Sequence, residues 1–242
     1  MTRNIPILMY HKIGLPTPRS TRRGLHVSPK ALDSQLDYLT KLGYQFCDFN
    51  DLRNSQDNKT PLPEKPVFLT FDDGHSDNYT RGFPILEKYQ AKATIFVIAG
   101  DMGRTNLVWD GAGERAPTDI MSWDQAREMH QSGVSIQSHG MTHGSFKNMP
   151  IEKIIAELEG SRKLIQQEIG EMPIALAYPR GVYNSQCMEA AGEAGYRFAC
   201  TIEKGANDPD NLNLLALRRI AVKGYRWIHN RQFMRAASRG FE

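Results

Sequence analysis

Apolar residues follow two rhythms along the chain. Short runs of strand character fall at 5–10 (IPILMY), 44–49 (YQFCDF), 67–71 (VFLTF), 93–98 (ATIFVI), 134–138 (VSIQS), 174–178 (IALAY), 196–200 (YRFAC) and 217–222 (LRRIAV). Several are apolar throughout, as strands covered on both faces must be. Between them the apolar positions recur with a helical period. Ser28 and Pro29 read as an N-cap and first helical residue, Leu32, Leu36 and Leu39 form one stripe, and Gly43 ends it. Ser122 opens a second helix that stops at Gly133, and 151–169 is a long third one, closed by Gly170 and Pro173. Strands alternating with helices predict an α/β fold of βα units, and about eight strands favour a barrel over an open sheet.

The segment 100–121 breaks both rhythms. It is rich in glycine and polar residues, which predicts a surface loop beside the active site. No internal repeat or low-complexity tract interrupts the rest, so the reading is one domain over 1–242.

Composition narrows the picture only slightly. The 242 residues are 40% hydrophobic and 24% charged, with a formal net charge of +3, short of the clustered excess a nucleic-acid binder needs. Three cysteines, Cys47, Cys187 and Cys200, lack paired or CxxC spacing, so reduced and buried thiols are expected. The apolar run at 5–10 is too short for a signal peptide and contains Pro6, and no stretch approaches membrane-spanning length. A cytoplasmic location is the expectation.

The chemistry lies where the strands end. His11 follows the first run, Asp72 and Asp73 the third, His139 the fifth, and Pro179 and Arg180 the sixth. In a parallel β/α barrel those ends share one face, the face on which active sites are assembled. His139 and His143 are four apart, a spacing that one helical turn brings to one side. Two imidazoles and one carboxylate suit a divalent ion such as zinc, with positions left open. Adjacent carboxylates at a strand end point in different directions, so Asp73 can ligate while Asp72 accepts a proton. His11 has the pKa range of a general acid, and a backbone N–H near Arg180, beyond Pro179, is placed to receive an oxyanion.

Assembled in this order, the sequence resembles the polysaccharide deacetylases of carbohydrate esterase family 4, the NodB-homology domain. TFDDG (70–74) is similar to that family's first motif, SHGMTH (138–143) to its second, and YPRGVYN (178–184) to its third. The resemblance implies a distorted TIM-like (β/α) barrel and hydrolysis of N-acetyl groups on amino sugars of a surface polysaccharide or its precursor. It implies Asp73, His139 and His143 as ligands of zinc, cobalt or nickel, and Asp72 as base. The opening PILMYHKIG resembles the poly-N-acetylglucosamine deacetylase branch, in which the acid comes from the first strand, here His11.

Two motif positions depart from the family. Ala177 stands where an arginine is usual, leaving Arg180 or Arg219 to orient Asp72, and the C-terminal Leu-x-x-His is absent because Arg226, Trp227 and Ile228 precede His229. Trp109 and Tyr183 are candidates to stack on a sugar, and His75 lies near enough to touch one. The basic residues past Arg218, among them Arg231, Arg235 and Arg239, suggest a solvated helix or a peripheral contact with an anionic membrane surface. A small-amide hydrolase on the same fold and a catalytically inactive glycan-binding module remain as alternatives. A facial-triad oxygenase shares the ligand set but has no need of Asp72.

Overall fold

The computed structural model describes residues 4–105 and 117–241. The chain enters through β1 (Ile7–Tyr10), passes a small parallel pair, β2 (Lys12–Ile13) and β3 (His26–Val27), and then α1 (Pro29–Lys41), β4 (Gln45–Cys47) and α2 (Phe49–Gln56). It continues through β5 (Pro66–Asp73), α3 (Phe83–Lys88), β6 (Thr94–Val97), α4 (Trp123–Gln131), β7 (Ser135–Ser138) and α5 (Ile151–Ile169). Then come β8 (Ala175–Ala177), α6 (Ser185–Glu193), β9 (Phe198–Lys204), β10 (Leu217–Ala221) and α7 (Trp227–Ser238).

Each candidate strand is present, yet the barrel has seven staves rather than eight. The ladder runs β1-β10-β9-β8-β7-β6-β5 and closes by parallel pairing of β5 with β1, Ile7 opposite Phe68 and Tyr10 opposite Phe71. β4 pairs only with the start of β5, at Pro66 to Phe68, and stays outside the ring. Its apolar run was real, but three residues that pair at one end of a strand already used for closure cannot form a stave.

The local signals act as their chemistry dictates. Ser28 Oγ accepts the Ala31 N–H, Ser122 and Gln125 form a reciprocal capping box, and Gly170 takes the left-handed conformation (φ +86°) that closes α5. No described helix is long and apolar enough to cross a membrane. Cys47, Cys187 and Cys200 are free and buried.

Period-two alternation divides β5 between two environments. Val67, Leu69 and Phe71 face the helices and share a core with Leu32, Leu36 and Ala126. Phe68 joins Phe96, Phe198 and Leu217 in a second cluster, which Phe49 enters from the start of α2 with ring centroids 5.6–5.8 Å from Phe68, Phe96 and Phe198. Burying each ring stabilises the fold by roughly 1.5–3 kcal/mol. Two and four residues beyond Phe68 on the same face stand Thr70 and Asp72, where the lining turns polar.

Candidate active site

Asp72 and Asp73 are the last two residues of β5, not residues following it. Asp73 and Gly74 both have positive φ, +76° and +70°. For a residue with a side chain this conformation costs about 1–3 kcal/mol, a strain that persists where function requires it. It parts the two carboxylates.

Asp72 is buried against Arg219, the largest fully buried side chain among the described residues. Nη1 and Nη2 donate to Oδ1 and Oδ2 of Asp72, each at 2.7 Å, Nε donates to the Thr201 carbonyl at 2.8 Å, and Nη1 also reaches Thr70 Oγ1 at 3.2 Å. Of the two arginines considered for this position, Arg219 fills it; Arg180 is exposed, on the cavity wall. Burial raises the Asp72 pKa, but Arg219, His139 and His11 outweigh it and hold the carboxyl below its ordinary value. His11, directly after β1, has Nε2 3.9 Å from Asp72 Oδ2. Its carbonyl accepts from Asn78 Nδ2 at 2.7 Å, which fixes the backbone there. Burial lowers the His11 pKa against the opposing pull of Asp72 and Asp73.

Asp73 meets three imidazoles. His139 Nε2 and His143 Nε2 lie 3.4 and 3.5 Å from Oδ1, and His75 Nε2 lies 3.2 Å from Oδ2. One ligand atom from each of Asp73, His139 and His143 fits within 4.8 Å of the others. The set suits a divalent cation for a further reason: His139 Nδ1 is 2.7 Å from the Ala177 carbonyl, so it bears the hydrogen and Nε2 presents its lone pair to the centre. Burial brings the His143 pKa down to about 4, which keeps that ring neutral, as a ligand must be. Burial opposes the charge on Asp73, yet contacts with His139 and His75 hold its carboxyl well below the usual range.

The two histidines do not share a helical turn. Residues 139–145 form an irregular segment in which Gly140 (φ +79°) and His143 (φ +60°) are left-handed. Glu157 on α5 holds it by accepting the N–H groups of Met141 (2.8 Å) and Thr142 (2.9 Å). Gly100 is required beside it, because a Cβ there would stand 2.6 Å from the Met141 carbonyl oxygen. Sequence reasoning missed Glu157 and gave His75 no structural task at Asp73; the nearness of His75 to TFDDG was the available signal.

The remaining candidates separate. Pro179 is buried in a short turn that leaves Arg180 with φ +61° on the cavity wall. Tyr183 stacks on Tyr178 with centroids 5.1 Å apart, and its hydroxyl donates to Glu203 at 2.6 Å, away from the cavity lining. Trp109 and the middle of the 100–121 segment lie outside the described residues. The described part of that segment returns to the site, where Ile120 pairs with His75 and Thr118 Oγ1 is 2.9 Å from His75 Nδ1. The cavity over the two aspartates has a volume of about 300 Å³.

A model of the polysaccharide deacetylase family matches residues 59–199, more than half of the chain, across both the DD and HxxxH segments. The chain belongs to the polysaccharide deacetylase family. Over 220 residues it is 33% identical to YxkH of Bacillus subtilis (strain 168), spanning 90% of this chain and 71% of that family member. It is 26% identical over 195 residues to a poly-beta-1,6-N-acetyl-D-glucosamine N-deacetylase of Staphylococcus aureus (strain MRSA252), spanning 76% of this chain and 64%, just under two thirds, of that one. Among solved structures, the Streptococcus pyogenes deacetylase PplD in complex with acetate superposes with a TM-score of 0.82 at 31% identity, over 97% of this chain and 99% of that one. IcaB from Ammonifex degensii shares the fold, with a TM-score of 0.81 at 24% identity, over 99% and 98% of the two chains. His11 and Arg219 lie outside the matched 59–199 span, so two side chains that meet Asp72 come from the flanking segments, one directly after β1 and one in β10.

Proposed function

We propose that this polysaccharide deacetylase hydrolyses the N-acetyl groups of amino sugars in a surface polysaccharide or its precursor, with a divalent cation held by Asp73, His139 and His143. The observation that carries the reading is Asp72, fixed by Arg219 on one side and 3.9 Å from His11 on the other, next to that ligand set. The staphylococcal relative's name and the acetate in the streptococcal structure support the reaction class. When bound, the cation supplies Lewis acidity, lowering the pKa of water and polarising the amide carbonyl; zinc, cobalt and nickel all suit the ligands.

The chain's own residues handle the protons. Asp72, kept ionised by Arg219, accepts one proton from the attacking water as the new C–O bond forms. The backbone N–H of Arg180 is the candidate donor to the oxyanion. His11 then protonates the nitrogen as the C–N bond breaks, releasing acetate and the free amine. Its lowered pKa makes the imidazolium a readier donor, and its nearness to Asp72 gives a short route for recharging with the proton already taken.

The test is acetate release from a panel of N-acetylated glycans by chelator-stripped protein to which zinc, cobalt or nickel is restored. Release should require metal and fall about a thousandfold or more in Asp72→Asn, with metal content retained. Turnover surviving in Asp72→Asn would remove its role as base. Metal uptake without acetate from any glycan, with hydrolysis of small amides, would move the proposal to the alternative substrate class.

The C-terminal helix extends the reading to a partner. Trp227 and Ile228 are 70% and 40% exposed beside Arg226 and Arg231, with the Arg231 guanidinium over the Trp227 ring. This combination suits a peripheral contact with an anionic membrane surface. Replacing Arg231, Arg235 and Arg239 by glutamine should then weaken co-sedimentation with anionic vesicles, and unchanged binding removes the proposal.

A further inference from the structure

The cavity over Asp72 and Asp73 is lined by more cationic charge than its chemistry uses. Its wall includes Lys12, Arg22, Arg180 and Lys204, while its acidic lining is Asp72 and Asp73 alone among the described residues. Asp72 is already matched by Arg219, and Asp73 faces three imidazoles. Both carboxylates are thus matched without Lys12, Arg180 or Lys204.

Lys12 is the most informative of them. It directly follows His11, in β2, and is 6% exposed, yet its ammonium has no hydrogen bond or ion pair among the described residues. Its stem is buried while its ammonium faces the cavity, where an anion could meet it without displacing another partner. Lys204 and Arg180 add exposed charge on the same wall, where a concave low-dielectric surface concentrates the field. An apolar patch completes the lining: Leu25 and Ile202, the latter packed so closely on Gly181 that a Cβ there would clash with it. Such a patch suits the apolar face of a sugar ring.

We infer that the cavity takes an amino sugar bearing an anionic substituent, a phosphate or a carboxylate, which Lys12 receives with Arg22, Arg180 and Lys204 around it. This deepens the proposed deacetylase reading and rests on it. Lysine suits the task as a compact point charge that does not demand the bidentate geometry of a guanidinium, and therefore accepts either anion. A neutral poly-N-acetylglucosamine segment would leave the Lys12 ammonium as it is now.

The experiment compares acetate release by the metal-loaded protein from three disaccharides of N-acetylglucosamine: neutral, phosphate-bearing and carboxylate-bearing. One or both charged probes should show kcat/KM about tenfold or more above the neutral one, with the advantage shrinking as salt rises. The arm that gains tells which anion is native. Lys12→Met should bring the charged-to-neutral ratio close to one, and Lys204→Met should lower it part of the way. Because Lys204 is exposed, its variant keeps the test decisive if Lys12→Met does not fold.

Equal kcat/KM for all three probes, or a ratio untouched by both substitutions, overturns the inference while leaving the deacetylase reading intact. If no probe releases acetate, the deacetylase reading fails, and calorimetric titration of the same disaccharides decides the subsite separately. Tighter, Lys12-dependent binding of a charged probe upholds it, and indistinguishable affinities sink it.

Discussion

The two ends of one barrel are built from the same strands and do opposite things. At the N-terminal end Phe49, Phe68 and Phe198 close the interior with the Phe49 ring 5.6–5.8 Å from the other two, and Phe96, in register with Asp72, links this packing to the Arg219 guanidinium 5.8 Å from its ring. At the C-terminal end the same alternation of β5, from Phe68 through Thr70 to Asp72, delivers a carboxylate to a buried guanidinium. The first end is held by area removed from water, which tolerates approximate fit. The second is held by paired charges, where losing either member strands the other. Both ends therefore contribute stability, by different forces, and the candidate chemistry is confined to the second.

The largest expected blow to this division is Arg219→Ala. It leaves Asp72 buried without its counterion, which should cost about 3–5 kcal/mol of stability and abolish acetate release together. Urea titration and turnover on the same sample would show it; full activity with a small stability loss would mean that Asp72 needs no fixed partner. Phe49→Ala should cost a comparable 3–5 kcal/mol, about the usual range for a buried ring, while per-molecule turnover of the folded fraction stays near wild type. Turnover collapsing along with stability would show that the two ends are not separable.

A smaller effect is expected at His75, which sequence reasoning offered as a sugar contact and which the structure sets against Asp73. His75→Phe removes the contact with Asp73 Oδ2 and should weaken metal affinity by about 10–100-fold, read by competition with a chromophoric chelator. Unchanged affinity would reduce His75 to packing.

The smallest effect is on pH dependence without metal. Burial lowers the His11 pKa from 6.5 and brings that of His143 to about 4, so below pH 6.5 the unfolded chain binds more protons at these sites. Their contribution to stability is present above pH 6.5 and is lost as pH falls through the folded values. His139 has the opposite sign: burial lowers its pKa, Asp73 and Asp72 more than reverse this, and its contribution, present below pH 6.5, is lost as pH rises through the raised value. Because the His139 contribution changes only above pH 6.5, His11 and His143 set the acid side, and the metal-free protein should lose stability between about pH 6.5 and 4. Thermal melts in chelator across that range measure the slope, and a stability rising toward pH 4 would reverse the assignment.

Much of this arrangement was legible in the chain. The apolar runs located eight of the ten strands, missing the short pair β2 and β3, the serine caps and Gly170 marked their helices, and the strand-end pattern assembled Asp72, Asp73, His11, His139 and His143. What stayed hidden depends on geometry that periodicity does not encode. The HxxxH spacing suggests a helical turn, whereas Gly140 and His143 are left-handed and Glu157 holds the loop by its backbone. β4 reads like any other strand, and only the closure of β5 on β1 leaves it outside. Arg219 was one of two choices because its partner is 147 residues away, although its place between Leu217 and Ala221 on one face of β10 already turned it inward.

That separation has a consequence for the newly made chain. Asp72, Asp73, His139 and His143 are all synthesised before Arg219, so a nascent polypeptide can hold the whole candidate metal cluster while Asp72 still lacks its counterion. Domains fold as units as they emerge from the ribosome, and this barrel cannot close until its last stave docks between β1 and β9. Completion of the ring and pairing of Asp72 thus become one event, and under the proposed function a ribosome-bound fragment ending before β10 would be an enzyme that has not yet been switched on.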